Sequence, residues 1–70
     1  MPLTMTKAGD TVTIRKITGK DEVSQHLAEL GFVEGETVTV VNEISGSLLL
    51  QVKEARIALD KTLAMRIIVA

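Results

Sequence analysis

The sequence contains no cysteine, one histidine, one proline and a single aromatic residue, Phe32. Without cysteine, the chain forms neither disulfides nor thiolate metal sites, which suits a reducing compartment such as the cytoplasm. No stretch approaches the ~20 apolar residues that span a bilayer, and the first ten residues lack a signal-peptide core. We therefore expect a soluble, cytoplasmic protein.

Concentrated basic surface and aromatic platforms are also missing. Eight Lys and Arg oppose nine Asp and Glu, which gives a net charge of −1. Nucleic-acid binding needs a basic surface, and single-stranded bases need aromatic side chains on which to stack. One phenylalanine cannot line a groove for proline-rich peptides either. The composition therefore disfavours nucleic-acid and polyproline ligands.

No catalytic constellation is recognisable. A Cys–His pair is excluded, and a Ser–His–Asp triad would have to recruit Ser24, Ser45 or Ser47 without a nucleophile turn around any of them. The five glycines never form a phosphate-binding loop. We expect neither enzymatic activity nor a nucleotide site.

Length and hydrophobic patterning predict one small β-rich domain over residues 1–70. The chain has 70 residues, of which 46% are hydrophobic, enough for a small core. Val12 and Ile14 alternate with polar residues, which predicts a strand over 10–17. Ile17 breaks this alternation and indicates a bulge or the end of the strand. Similar patterns predict strands at 37–43, 48–53, 56–59 and 66–69, the first two of these as a hairpin, and a short helical turn at 60–65.

A helix is predicted over residues 21–30. Val23, Leu27 and Leu30 stand at positions i, i+4 and i+7, which is the spacing of one helix face. Asp21 precedes them as an N-cap candidate. The sheet is therefore interrupted by one helix between its first two strands.

The end of this helix explains the position of the only aromatic residue. Gly31 follows Leu30, at the place where a left-handed backbone ends many helices. In such an ending the next residue, Phe32, folds back on Leu27. We expect Phe32 to close this corner of the core, and Gly35 to mark the turn that leads into the second strand.

Five short strands and one helix predict a small, partly open barrel of the SH3-like or OB-like kind, because curling removes sheet edges. An open α+β sheet with the helix packed on one face is the alternative.

The only histidine lies in a polar helix face. Glu22, His26 and Glu29 fall within about 60° of one another around the helix axis. Two carboxylates and an imidazole could bind Fe²⁺ or another divalent metal. The same arrangement is typical of a solvent-exposed helix face. We favour the exposed face and assign no cofactor, with these three residues as the candidates for a metal site.

Leu49 is the candidate for a partner-binding surface. It points opposite to Leu48 and Leu50, so a single core cannot easily bury all three. Either both faces of this strand are covered, or Leu49 belongs to a docking surface that Val33 or Val41 extends.

Three segments resemble the FeoA family (ferrous iron transport protein A), and together they span residues 7–69. They are KAGDTVTIRKI at residues 7–17, HLAELGFVEGETVTVV at 26–41 and RIALDKTLAMRIIV at 56–69. The resemblance implies an SH3-like barrel with an inserted helix. It also implies a small cytoplasmic accessory protein of bacterial ferrous iron uptake. The resemblance further implies that the protein binds the cytoplasmic GTP-binding part of the FeoB-type permease, with regulation of transport or GTP hydrolysis as the expected effect.

The resemblance assigns structural positions in this chain but no metal ligands. Leu27, Gly31 and Phe32 match motif positions, and no metal-ligand set carries over. Glu34 stands where many relatives have proline, which should loosen the turn. Asp60 lies in a loop that is usually more basic in the family.

Two other functions stay open. The same module occurs as the C-terminal domain of iron-dependent repressors of the diphtheria-toxin-repressor type, and the chain could be a fragment of one. It could also be a metal-responsive sensor that uses Glu22, His26 and Glu29. Self-association through strand edges is a third open question, while no membrane insertion is expected.

Overall fold

Five strands form one antiparallel sheet in the spatial order β4-β3-β2-β1-β5. The computed structural model describes residues 1–19 and 21–70. The strands are β1 (Thr11–Ile17), β2 (Thr37–Ile44), β3 (Ser47–Val52), β4 (Ala55–Asp60) and β5 (Ile67–Val69). Two helices, α1 (Glu22–Glu29) and α2 (Lys61–Ala64), follow β1 and β4, and a 3₁₀ turn covers Leu3–Met5.

The predicted architecture is confirmed. The sheet is not closed, because β4 and β5 are the two ends of the strand order. Every element adds to one core, and the strands do so through alternate residues, as the period of two requires. The core side chains are Leu3, Val12, Ile14, Leu27, Phe32, Val38, Val40, Leu48, Leu50, Val52, Leu59, Ala64, Ile67 and Val69. The molecule is therefore a partly open barrel with one inserted helix.

A bulge explains why Ile17 breaks the alternation of β1. Ile14 pairs with Val69 and Lys16 pairs with Ile68, so β1 advances by two residues where β5 advances by one. Ile17 then packs against the core. Both predicted alternatives are therefore present, because β1 contains a bulge and also ends at Ile17.

The end of α1 has the predicted geometry. The N–H of Gly31 donates to the Ala28 carbonyl and the N–H of Phe32 donates to the Leu27 carbonyl, both at 3.0 Å. This pair of hydrogen bonds defines the Schellman ending. Gly31 has φ +107°, a value that side chains with a Cβ rarely adopt. Phe32 is 0% exposed, so the only aromatic ring does close the corner.

The predicted hairpin of β2 and β3 is confirmed, and a second hairpin joins β3 to β4. Ser45 and Gly46 form the first two-residue loop with φ values of +26° and +81°, as type I′ turns require. The second loop consists of Lys53 and Glu54, so Lys53 belongs to a turn rather than to the strand predicted over 48–53.

The N-terminal segment is an element that the sequence analysis did not predict. Leu3 is 0% exposed and belongs to the core. The α-amino group of Met1 donates to the Val69 carbonyl at 2.9 Å, and the N–H of Val69 donates to the Met1 carbonyl at 2.7 Å. Pro2 forms an isolated antiparallel bridge with Ile68. Met1 and Pro2 therefore cover the outer edge of β5, and Leu3 adds to the core.

Candidate docking surface

Leu49 lies on the outer face of the sheet, in the middle of β3. Its sequence neighbours Leu48 and Leu50 are 1% and 0% exposed, whereas Leu49 is only half-buried. It pairs with Asn42 on β2 and with Ala58 on β4, and both of these residues are exposed. The outer face therefore leaves part of a leucine side chain accessible at its centre.

Val41 lies beside Leu49 because of a bulge in β2. Val40 pairs with Leu50 and Asn42 pairs with Leu49, so Val41 is the additional residue between them. Val41 is half-buried. We call Val41, Leu49 and Ala58, on three adjacent strands, the outer-face row. The structure thus brings together two of the three predicted partner-binding residues.

Val33 lies apart from the outer-face row. It is 41% exposed in the turn between α1 and β2. This turn is attached to β1, because the N–H of Gly35 donates to the Ile14 carbonyl at 2.8 Å. Val41 is four residues into β2, about 13 Å along the strand from its start at a rise of ~3.3 Å per residue. A single small contact around Leu49 would therefore not include Val33.

A second apolar surface was missed by the sequence analysis. Met5, Ile44 and Met65 are 70%, 55% and 60% exposed. Met5 ends the 3₁₀ turn, which packs against α2, and Met65 caps α2. Ile44 ends β2, where its neighbour Glu43 forms an ion pair with Lys61 of α2. The only sequence signal was the position of Ile44, directly before a Ser-Gly turn. Met5 and Met65 lie in or beside segments too short to show a hydrophobic period.

The three candidate metal residues are spread over about two turns of α1. Glu22, His26 and Glu29 are all exposed on α1. A rise of 1.5 Å per residue places the Cα atoms of Glu22 and Glu29 about 10 Å apart along the helix axis. Across residues 1–19 and 21–70, no group of three or more His, Cys, Asp or Glu side chains is arranged to hold a metal.

Negative charge is concentrated on one part of the chain. Residues 21–52 contain no Lys or Arg and six acidic residues, namely Asp21, Glu22, Glu29, Glu34, Glu36 and Glu43. All of them are exposed except Glu36, which is half-buried. Helix α1 and the turn after it are therefore acidic, and a basic partner surface would complement them. The nearly balanced total charge of −1 conceals this uneven distribution.

The part of the chain that the structure describes has no pocket for a small ligand. Among the same residues, no helix is both long and apolar enough to cross a membrane.

The comparison with known families decides the identity. The FeoA domain family matches residues 1–70, the whole chain. The chain belongs to the FeoA family. This family consists of non-enzymatic accessory proteins of ferrous iron transport.

Individual relatives support the assignment. A protein of Methanocaldococcus jannaschii that is named as an Fe(2+) transport protein A is 31% identical over 68 residues, which are 97% of this chain and 83% of the relative. The crystal structure of an iron uptake regulatory protein (FeoA) is 30% identical, with a TM-score of 0.91, over 100% of this chain and 93% of that one.

A third FeoA structure confirms the SH3-like fold. Stenotrophomonas maltophilia FeoA, solved in complex with zinc and described as a prokaryotic SH3 domain protein, is 32% identical with a TM-score of 0.86. The match covers 100% of this chain and 89% of that protein. The predicted fold class is therefore correct.

The repressor alternative rests on fold alone. A manganese-dependent transcriptional repressor is 23% identical to this chain with a TM-score of 0.84. The match covers 96% of this chain but only 39% of the repressor. The FeoA assignment, which rests on the family match and on relatives at higher identity, is favoured.

Proposed function

We propose that this FeoA-family chain is a cytoplasmic accessory protein that binds the cytoplasmic GTP-binding part of an FeoB-type ferrous iron permease. The observation that carries the proposal is the outer-face row. Leu49 lies half-buried at the centre of a sheet face with exposed Ala58 beside it. Such a surface is suited to another protein rather than to a small molecule.

Burial of this row supplies the binding energy. Each Å² of apolar surface removed from water contributes roughly 25 cal/mol, and Leu49 has accessible surface left to bury. Ala58 has a small side chain, so a partner could approach the sheet closely there. Arg56 and Gln51 form a hydrogen bond at 3.1 Å beside the row, and they would form part of its polar rim.

Regulation follows from binding without any catalytic group in this chain. A bound protein shifts its partner toward the state to which it binds more tightly. Preference for the GTP-bound state would prolong that state, while preference for the transition state of hydrolysis would accelerate turnover. We therefore assign the chain a regulatory role that depends on its relative affinity for the nucleotide states of the permease.

An NMR titration tests the proposal. Isotope-labelled protein is mixed with the soluble GTP-binding domain of the permease, and separately with Fe²⁺ alone. We expect the amides of Val41, Leu49 and Ala58 to shift with the domain and not with Fe²⁺. Saturable changes around His26 with Fe²⁺, and none with the domain, would instead support a metal sensor.

A pair of variants separates the two apolar surfaces. Leu49→Glu places a charge in the outer-face row, and Ile44→Glu places the same charge on the second surface. We expect Leu49→Glu to remain folded and to lose affinity for the domain, while Ile44→Glu binds as the wild type does. The reverse pattern would move the binding site to the α2 end of the molecule. If Leu49→Glu unfolds, Ala58→Glu replaces it, because Ala58 is exposed.

A further inference from the structure

The two edges of the sheet differ. The outer edge of β5 is covered by Met1 and Pro2, which pair with Val69 and Ile68. Strand β4 is the other edge, with β3 on one side. In the described part of the chain, no backbone hydrogen bond reaches β4 from its outer side. An edge of this kind can pair with another strand.

The orientation of β4 identifies its outward-facing backbone groups. Val52 pairs with Ala55 across a two-residue loop, and such a pair exchanges hydrogen bonds. At the other end of the strand, the N–H of Lys61 donates to the Gly46 carbonyl at 3.0 Å. Odd-numbered residues of β4 therefore direct their backbone groups toward β3. Even-numbered residues, namely Arg56, Ala58 and Asp60, direct theirs outward.

The charges on this edge are self-complementary. Consider β4 paired antiparallel with β4 of a second copy, so that Ala58 lies opposite Ala58. Arg56 then lies opposite Asp60 of the second copy, and the two-fold axis creates the same pair a second time. The Nε–H group of Arg56 donates to Gln51 at 3.1 Å, which leaves the two Nη groups available to a carboxylate. The Oδ1 atom of Asp60 accepts the N–H of Leu63 at 2.9 Å, which leaves Oδ2 for an arginine. Opposite charges directly across two strands stabilise their pairing.

The side chain at the centre permits close approach. Ala58 is exposed and small, and its cross-strand neighbour is Leu49. Pairing at Ala58 would therefore join the outer-face rows of both copies into one apolar strip. A head-to-tail arrangement of β4 against β5 is disfavoured, because Met1 and Pro2 cover the edge of β5.

We propose that two copies of this chain associate through antiparallel pairing of their β4 strands about Ala58. The product is a two-fold dimer with a ten-stranded sheet and two Arg56–Asp60 ion pairs. This proposal is independent of permease binding, since a monomer could still use its outer-face row.

Sedimentation equilibrium measures the association. The full chain is examined from about 10 µM to about 1 mM, the range in which weak dimers form. We expect the wild type to become dimeric across this range. Arg56→Glu places like charges opposite each other, and we expect it to weaken the dimer by at least about tenfold. The control is Arg15→Glu, which changes the net charge equally on the interior strand β1.

Two further variants test the register. Ala58→Pro removes an outward-facing N–H without removing a hydrogen bond to β3, since proline is tolerated on that side of an edge strand. We expect a folded monomer. Combining Arg56→Glu with Asp60→Lys exchanges the charges and should restore the dimer, provided that circular dichroism shows the double variant to be folded.

Amide exchange and intermolecular contacts identify the interface directly. The amides of Arg56, Ala58 and Asp60 should gain protection as concentration rises, whereas those of Ile57 and Leu59 should be protected throughout. A sample of mixed isotope labels should show an Hα–Hα contact between Ile57 and Leu59 of the second copy. A monomer up to about 1 mM, or a dimer that Arg56→Glu and Ala58→Pro do not weaken, would overturn the proposal.

Discussion

Arg66 donates from its Nη1 atom to both carboxylate oxygens of Asp21, at 2.9 and 3.0 Å. The same carboxylate accepts the N–H of Ser24 at 3.1 Å and so caps α1. The backbone N–H of Thr18 also donates to the Arg66 carbonyl, at 2.8 Å. One residue before β5 therefore anchors both the end of β1 and the start of α1.

Substitutions at Asp21 separate capping from ion pairing. Asparagine is also a good N-cap, so Asp21→Asn keeps the hydrogen bond to Ser24 and loses the charge opposite Arg66. Asp21→Ala loses both. We expect melting temperatures in the order wild type, Asp21→Asn, Asp21→Ala. Equal melting temperatures for the two variants would show that the cap contributes nothing.

The same site gives the stability a pH dependence. The hydrogen bond from the Ser24 N–H, and then the Arg66 guanidinium, hold the pKa of Asp21 below its ordinary value. A carboxyl group with a lowered folded-state pKa stabilises the fold above its unfolded pKa of ~3.9 and loses that contribution as pH falls through the folded pKa. The stability difference between wild type and Asp21→Asn should be constant from about pH 5 to 7 and shrink below about pH 4. Urea unfolding at each pH measures it, and a difference that grows in acid would contradict the assignment.

Removal of the Phe32 ring should destabilise the chain strongly. The side chain is 0% exposed, and Phe→Ala at buried sites costs about 3–5 kcal/mol. Phe32→Leu, which keeps most of the apolar volume, should cost less. Because the chain has no Trp or Tyr, circular dichroism during urea unfolding is the suitable measurement. An unchanged unfolding midpoint for Phe32→Ala would show that the ring does not close the corner.

The N-terminal 3₁₀ turn should contribute to stability through one residue. Leu3→Ala removes a fully buried side chain, and we expect a loss of about 2–4 kcal/mol. Met5 in the same turn is 70% exposed, so Met5→Ala should change stability by no more than about 0.5 kcal/mol. Chemical denaturation of both variants makes the comparison. Similar losses of stability for the two variants would contradict the prediction that Leu3 anchors the turn to the core.

Local patterns predicted the strands and the helix because their signals are periodic. Val12 and Ile14 alternate with polar residues, and Gly31 with Phe32 forms a recognisable helix ending. The 3₁₀ turn was missed because three residues cannot show a period. The bulge at Val41 was missed because its cause is the register with Leu49 on the next strand, a relationship between two segments.

The candidate surface was predicted only in part. Leu49 was identifiable because it points opposite to two core leucines of the same strand. Whether Val33 or Val41 lies near it depends on how the turn and the strands are arranged in space, and a single sequence does not specify that arrangement. The same limit applies to the open edge at Ala58, since strand order decides which strand has no outer neighbour.

Met1 pairs with Val69 as the residue of a neighbouring strand would, so the two chain ends lie roughly 5 Å apart. The backbone is therefore almost a closed ring. A short glycine linker from Ala70 to Met1 would complete that ring, and new termini could be opened at the Ser45–Gly46 turn, an exposed loop of the kind where circular permutation succeeds. Such a permuted chain would keep all the strand pairings described above, although β2 and β3 would exchange their short hairpin connection for opposite ends of the sequence.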